Sequence, residues 1–176
     1  MQSRHNNYAV IVPFRCPLHL PEVAAIERSF FKPALTRKEI RQLGKGPNSS
    51  VVVAVQKTSS LVRRVLGCAI CERHYEHEFC EIYSLAVKKE FQGRGIGSQL
   101  LQAICDQNTA IVEMKWIVMA VNERCLSQLQ WLRKKEFLVD TREICHEYFD
   151  DGDDLLISKL PINLDLHSYN RLTEYS

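Results

Sequence analysis

An apolar strand, Ile82 to Val87, runs through a short charged turn, Lys88 to Phe91, into Gln92-Gly93-Arg94-Gly95-Ile96-Gly97 and then into the helix-like stretch SQLLQAICDQN. A glycine-rich turn set between a strand and a helix N-terminus presents several backbone N–H groups at the positive end of a helix dipole. That arrangement is a cradle for a pyrophosphate. A Cβ at Gly95 or Gly97 would hold such a ligand away from the backbone. The feature commits the chain to an α/β fold in which a strand feeds a helix across a ligand-binding turn.

Other phosphate loops fit less well. A Walker loop ends in Gly-Lys-Ser/Thr, whereas Gly97 is followed by Ser98 and Gln99. A dinucleotide fingerprint places its first glycine directly after the strand, with an acidic residue about 20 positions on. Here charged residues and Phe91 intervene between Val87 and Gln92. An ordinary glycine-rich turn is the bland alternative, but three glycines at this spacing are joined to the right strand and helix.

At 176 residues the chain reads as one domain, long enough to bury a core. Hydrophobic residues make up 45% and charged residues 25%, as in a globular protein. A net charge of +2 gives no reason to invoke nucleic acid or an anionic membrane as a partner. Apolar runs such as Val51 to Val55 are far too short to span a bilayer, and the polar Met1 to Asn7 stretch is not a signal peptide. Cysteines number 7, an odd count scattered through strand-like and helix-like segments, which fits reduced thiols in the cytoplasm better than a disulfide framework. Monomer and homodimer both remain open.

Periodicity gives the remaining elements. Tyr8 to Phe14 reads as a strand, and Leu18 to Phe30 places Leu20, Val23, Ala24 and Ile26 at helical spacing, closed by Phe30 and Phe31. Pro33 breaks the chain; Thr36 with Glu39 forms a capping box for a short helix ended by Gly44 and Gly46-Pro47. Ser50 to Gln56 is a β-branched strand, followed by a polar turn at Lys57 to Ser60, a strand from Val62 to Arg73 and a turn from His74 to Glu78. Helix 94–107 turns Leu100, Leu101, Ala103 and Ile104 inward. Trp116 to Val121 is a strand and Cys125 to Lys135 a helix. Phe137 to Tyr148 and Leu155 to Leu160 form a closing antiparallel pair around Asp151-Gly152. Residues 1–7 are expected to be a flexible N-terminus, 8–162 a single domain, and 163–176 a loosely ordered tail.

The Gln/Arg-x-x-Gly-x-Gly loop and the order β, α, α, β, β, β, α, β, α, β, β resemble the GNAT N-acetyltransferase superfamily over roughly residues 8 to 162. The resemblance implies an α/β (α+β) acyl-CoA N-acyltransferase fold, with a mixed, mostly antiparallel sheet of about seven strands flanked by about four helices. Within the superfamily, AAIERSF, SLAVKKEFQGRGIG and the ending EYFDDGDDLLISKLPI are most similar to bacterial ribosomal-protein alanine N-acetyltransferases and related Nα-acetyltransferases.

The implied co-substrate is acetyl-CoA, with no metal. Backbone groups of Gly93, Arg94, Gly95, Ile96, Gly97 and Ser98 would hold its pyrophosphate, and Gln92 and Arg94 would add side-chain donors. Leu85, Ala86 and Val87 would pair with the pantetheine arm as a β-strand does, one N–H polarising the thioester oxygen. The acceptor is a primary amine, mostly protonated at neutral pH, so a base must free its lone pair. Glu81 falls where histone acetyltransferases of the superfamily carry their glutamate base; an exposed strand-end glutamate is the plain alternative. Tyr83 shares a strand face with Glu81 and could shape the acceptor site. Phe31, with Lys32 and Pro33, would lie on the loop lining the acceptor groove, and Tyr148 and Phe149 sit where relatives carry paired tyrosines over a peptide N-terminus.

The chain departs from the subfamily pattern. Ala120 stands where ribosomal-protein acetyltransferases carry a glutamate, Cys125 where an asparagine contacts the cofactor, and Glu136 where there is a glycine. Leu132, with Trp131 beside it, replaces the tyrosine that serves as general acid; a three-residue slide restores Asn122 as the asparagine but not the tyrosine. Catalysis survives such losses, because a thiol of pKa about 8.5 leaves tolerably as thiolate and an acid typically adds about 10²- to 10⁴-fold. The leading expectation is therefore direct attack, in a ternary complex, by a protein or peptide N-terminal α-amine. The alternatives are a small-amine acetyltransferase acting on a polyamine, arylalkylamine or aminoglycoside, and a CoA-binding regulatory module without turnover.

Cys68, Cys71, His74, His77 and Cys80 recur every three residues, which suggests a zinc-stabilised interaction protein. Residues three apart on a strand point to opposite faces, however, and cysteine is also a small core hydrophobe. Trp116 and Trp131 read as core.

Overall fold

The structure, a computed structural model, describes residues 9–56, 64–145 and 155–163. Its elements follow the expected order: β1 (Ala9–Pro13), α1 (Leu20–Phe30), α2 (Arg37–Leu43), β2 (Ser49–Gln56), β3 (Val65–His74), β4 (Phe79–Val87), α3 (Ile96–Thr109), β5 (Trp116–Asn122), α4 (Leu126–Arg133), β6 (Leu138–Cys145) and β7 (Leu155–Pro161). Short 3₁₀ turns, Tyr75–His77 and Lys89–Phe91, precede and follow β4. The strands form one 7-stranded open sheet in the order β1-β2-β3-β4-β5-β7-β6. The mixed α/β class expected from the sequence is the class observed. Among the described residues no helix is long and apolar enough to cross a membrane.

The chain divides into two compact units, Met1–Glu72 with Tyr83–Gln107, and Arg73–Ile82 with Asn108–Ser176. In the first unit β2 pairs antiparallel with β1 and β3, and its Val51 to Val55 run is buried throughout. Val23, Ala24 and Ile26 of α1 and Ile40 of α2 pack on Val53, Val55, Cys68 and Ile70. Fully burying one such aliphatic side chain contributes roughly 1.5–3 kcal/mol. The α2 capping box forms as expected: Glu39 N–H donates to Thr36 Oγ1 at 3.3 Å, and Thr36 N–H to Glu39 Oε2 at 2.7 Å.

In the second unit β4 runs parallel to β5 from Phe79↔Trp116 to Ile82↔Met119. β7 lies antiparallel to both β5 and β6, with a register shift between Asp140 and Ile144 of β6. Helix α4 ends as a Schellman motif: Phe137 N–H donates to Leu132 C=O at 3.1 Å and Glu136 N–H to Arg133 C=O at 3.0 Å. Leu132 and Phe137, the hydrophobic pair of that motif, are both buried.

Boundaries shift by a few residues from expectation. Helix α3 begins at Ile96 rather than 94 because Gly93 and Gly95 have φ of +72° and +77°, outside helical space. The 1–7 segment, the turn at 57–60, Asp151-Gly152 and the tail beyond 163 lie outside the described residues.

Candidate active site

The loop after β4 is built by local hydrogen bonds. Gln92 Nε2 donates to Val87 C=O at 2.9 Å, folding the turn back on the strand end. The left-handed Gly93 and Gly95 then swing the chain into α3. The first helical bond runs from Gln99 N–H to Gly95 C=O at 3.1 Å. The N–H groups of Ile96, Gly97 and Ser98 therefore have no acceptor within the helix. A Cβ built on Gly93 or Gly95 meets nothing within 4 Å, so the concave side of the turn opens outward. Exposed amides, a helix dipole and positive φ together suit a pyrophosphate. Arg94 adds charge here: its guanidinium lies 5.5 Å from the Phe91 ring centre, and Nη2 donates to Glu90 C=O at 3.2 Å. Arg64 lies 5.1 Å from the same ring and pairs with Glu90 at 3.0 Å.

Two carboxylates of α1 tie this unit together. Glu22 accepts the Val65 N–H at 3.1 and 3.2 Å and pairs with Lys88 at 2.9 Å. Glu27, only 1% exposed, accepts the Ser84 hydroxyl of β4 at 2.6 Å. Burial pushes the Glu27 carboxyl above its ordinary range, against the lowering effect of hydrogen bonds from Ser84 and the Leu35 amide. Tyr83 O–H donates to Glu72 Oε2 at 2.7 Å. Glu72 alternates onto the same side of β3 as Cys68 and Ile70, which pack with α1. Along β4 burial alternates, with Tyr83 exposed and Ser84 buried. Phe31 caps α1, its N–H donating to Glu27 C=O at 2.9 Å, and its half-buried ring packs against the core of this unit.

In the second unit Glu81 is half-buried on β4, opposite Val118 of β5. His74 Nε2 of β3 stands 3.3 Å from Glu81 Oε2, within ion-pair range, and has no hydrogen-bond partner among the described residues. Cys125 is the exposed N-cap of α4. Asn122, the residue a shifted alignment would supply, accepts the Arg124 N–H through Oδ1 at 2.8 Å. Ala120 is exposed on β5, and Leu132 is fully buried. Glu136 has φ +64°, a left-handed angle at the position where the subfamily pattern carries glycine. Tyr148 and Phe149 lie outside the described residues.

The cysteine-histidine series does not converge. Cys68 packs toward α1 and senses the Glu27 charge, whereas Cys71 lies beside Cys105 of α3. Burial pushes the Cys105 thiol up to about 11 and Cys68 further still, so neither is a thiolate at neutral pH. Among the described residues no group of three metal-capable side chains forms. Sequence reasoning missed two contacts. Glu27 was signalled by a carboxylate beside Ile26 in an apolar helical stripe. The His74–Glu81 approach was signalled by its span across a tight strand-turn-strand connection.

A family model for the acetyltransferase (GNAT) domain matches residues 47–137. Solved structures share the fold. The ribosomal-protein-S18-alanine N-acetyltransferase from Escherichia coli aligns with a TM-score of 0.72 at 19% identity, covering 89% of this chain and 96% of that one. Arabidopsis thaliana NAA60 in complex with a bisubstrate analogue gives 0.76 at 14% identity, covering 88% and 98%. Spermidine N-acetyltransferase from Vibrio cholerae, in complex with CoA and spermine, gives 0.71 at 14% identity, covering 89% and 97%. No curated protein matches the chain by sequence.

Proposed function

The chain belongs to the GNAT acetyltransferase family, and we propose that it moves the acetyl group of acetyl-CoA to a protein or peptide N-terminal α-amine by direct attack in a ternary complex. The observation that carries this is the Gly93–Gly95 turn, left-handed, open on its concave side and leading directly into α3. Amides from Gly93 to Ser98 bind the pyrophosphate, and Arg94 adds a charged donor. Leu85, Ala86 and Val87 lie beyond the last β4–β5 register pair, Ile82↔Met119, and their backbone pairs with the pantetheine arm.

Glu81 takes a proton from the acceptor ammonium. The freed lone pair attacks the thioester carbonyl; a C–N bond forms, the C–S bond breaks and the thiolate leaves. Leu132, buried among apolar residues, supplies no acid, so the leaving group departs on its own acidity, a thiol pKa of about 8.5. Phe31 and Tyr83 shape the acceptor side and Cys125 contributes to cofactor binding; Tyr148 and Phe149, the further acceptor-side candidates, lie outside the described residues. Free cysteines at Cys16, Cys68, Cys71, Cys80, Cys105 and Cys125 fit a cytoplasmic enzyme.

A second reading is a polyamine acceptor. It is favoured by Glu81, a half-buried carboxylate on β4 that would suit a multiply charged amine. Thiol release from acetyl-CoA separates the two across N-terminal peptides, polyamines and aminoglycosides. Peptides with a free α-amine should show the highest kcat/KM and their N-blocked forms none. Higher kcat/KM on spermidine than on every peptide would overturn the α-amine assignment.

A further inference from the structure

We propose that His74 is a second proton-handling residue of this enzyme, receiving through Glu81 the proton that the acceptor amine gives up. The inference rests on the acetyltransferase reading above and adds a residue to it. An ammonium and a thioester yield an amide, a thiol and one proton. The amide C–N bond forms as the C–S bond breaks, and one of the two protons lost by nitrogen ends on the departing sulfur. The other must leave the site before Glu81 can act again, and Glu81 is only half-exposed.

His74 is placed to take it. Its Nε2 lies 3.3 Å from Glu81 Oε2, is shielded from water and has no hydrogen-bond partner among the described residues. A buried ring nitrogen without a partner is costly to keep. Here it faces a carboxylate that gains and loses a proton each cycle. The Phe79 ring, 4.6 Å away, holds the imidazole, and His77 stacks on Phe79 at 6.0 Å. Of the other charged groups nearby in sequence, Glu72 alternates onto the same face of β3, Glu76 and Glu78 lie in the exposed turn, and Arg73 points away, its Nε donating to Asn108 Oδ1 at 2.9 Å. The proton passes from the amine to Glu81 Oε2, then to His74 Nε2. The imidazolium releases a proton from Nδ1 to water, and exchange of the remaining ring proton back to Nδ1 through solvent frees Nε2 for the next turnover.

The test uses wild type, Glu81→Gln, His74→Gln and His74→Ala, with kcat and acceptor KM followed over pH, acetyl-CoA affinity measured calorimetrically and added imidazole as a probe. His74→Gln keeps the side-chain volume and decides the matter should His74→Ala fail to fold. The expected result is a fall in kcat of about 10-fold or more, an altered acidic limb of the pH profile, and unchanged acetyl-CoA affinity and acceptor KM. Imidazole should restore kcat in His74→Ala in proportion to its concentration. Wild-type kcat and pH profile in His74→Gln would overturn the inference. So would a loss that imidazole does not relieve and that tracks lowered thermal stability. If wild type releases thiol and Glu81→Gln does not, either of those results removes only His74. If wild type releases no thiol with any amine, the acetyl-transfer reading falls and His74 with it.

Discussion

Gly95 combines a φ of +77° with open space where a Cβ would stand, so within the protein its demand is conformational rather than steric. An L-residue held in left-handed space costs about 1–2 kcal/mol. Its Cβ would also project into the space a pyrophosphate needs. Gly95→Ala should weaken acetyl-CoA binding by about 10-fold or more while lowering thermal stability only slightly; unchanged affinity by calorimetry would contradict the loop assignment. The loop glycines were legible in the sequence as a group. Which of them carries positive φ was not: the demand falls on Gly93 and Gly95, while Gly97 lies in the first turn of α3. Glu27 was not legible, because its carboxylate is buried by a non-local contact to Ser84. Its raised carboxyl has a signed consequence. Between the unfolded value near 4.5 and the higher folded value, the native state holds more protons than the unfolded state, so stability falls as pH rises through that window. Urea unfolding should show wild type losing stability relative to Glu27→Gln as pH climbs above 4.5. A stability difference independent of pH would remove that role.

Elements were legible where their signals are local. Thr36 and Glu39 announced α2, and the spacing of Leu20, Val23, Ala24 and Ile26 announced α1. Periodicity alone sets the start of α3 two residues early, because it does not register a backbone angle. The end of α4 shows the same limit. Its Schellman turn puts Glu136 at φ +64°, where glycine would sit without strain. Glu136→Gly should therefore stabilise the fold by about 1 kcal/mol, read as a higher denaturant midpoint with the same slope. A lower midpoint would mean that the glutamate side chain contributes more than the backbone strain costs.

Across the whole molecule, the order of elements could be read from turns and periodicity, but the lateral order of strands could not. The closing strands β6 and β7 were expected to pair with each other, and they do. That β7 inserts between β5 and β6 depends on pairings distant in sequence, such as Val118↔Lys159. A ligand that binds only the folded chain stabilises it by mass action, about 2.7 kcal/mol at a hundredfold excess over Kd. For a chain of this size that corresponds to a rise of roughly 5–10 °C in Tm. Acetyl-CoA should produce this shift, and Gly95→Ala should blunt it. The most direct experiment is a calorimetric titration of the wild-type chain with acetyl-CoA and with free CoA. Saturable one-to-one binding of both is expected, because the amides from Gly93 to Ser98 hold the diphosphate common to the two. No measurable association with either would contradict it.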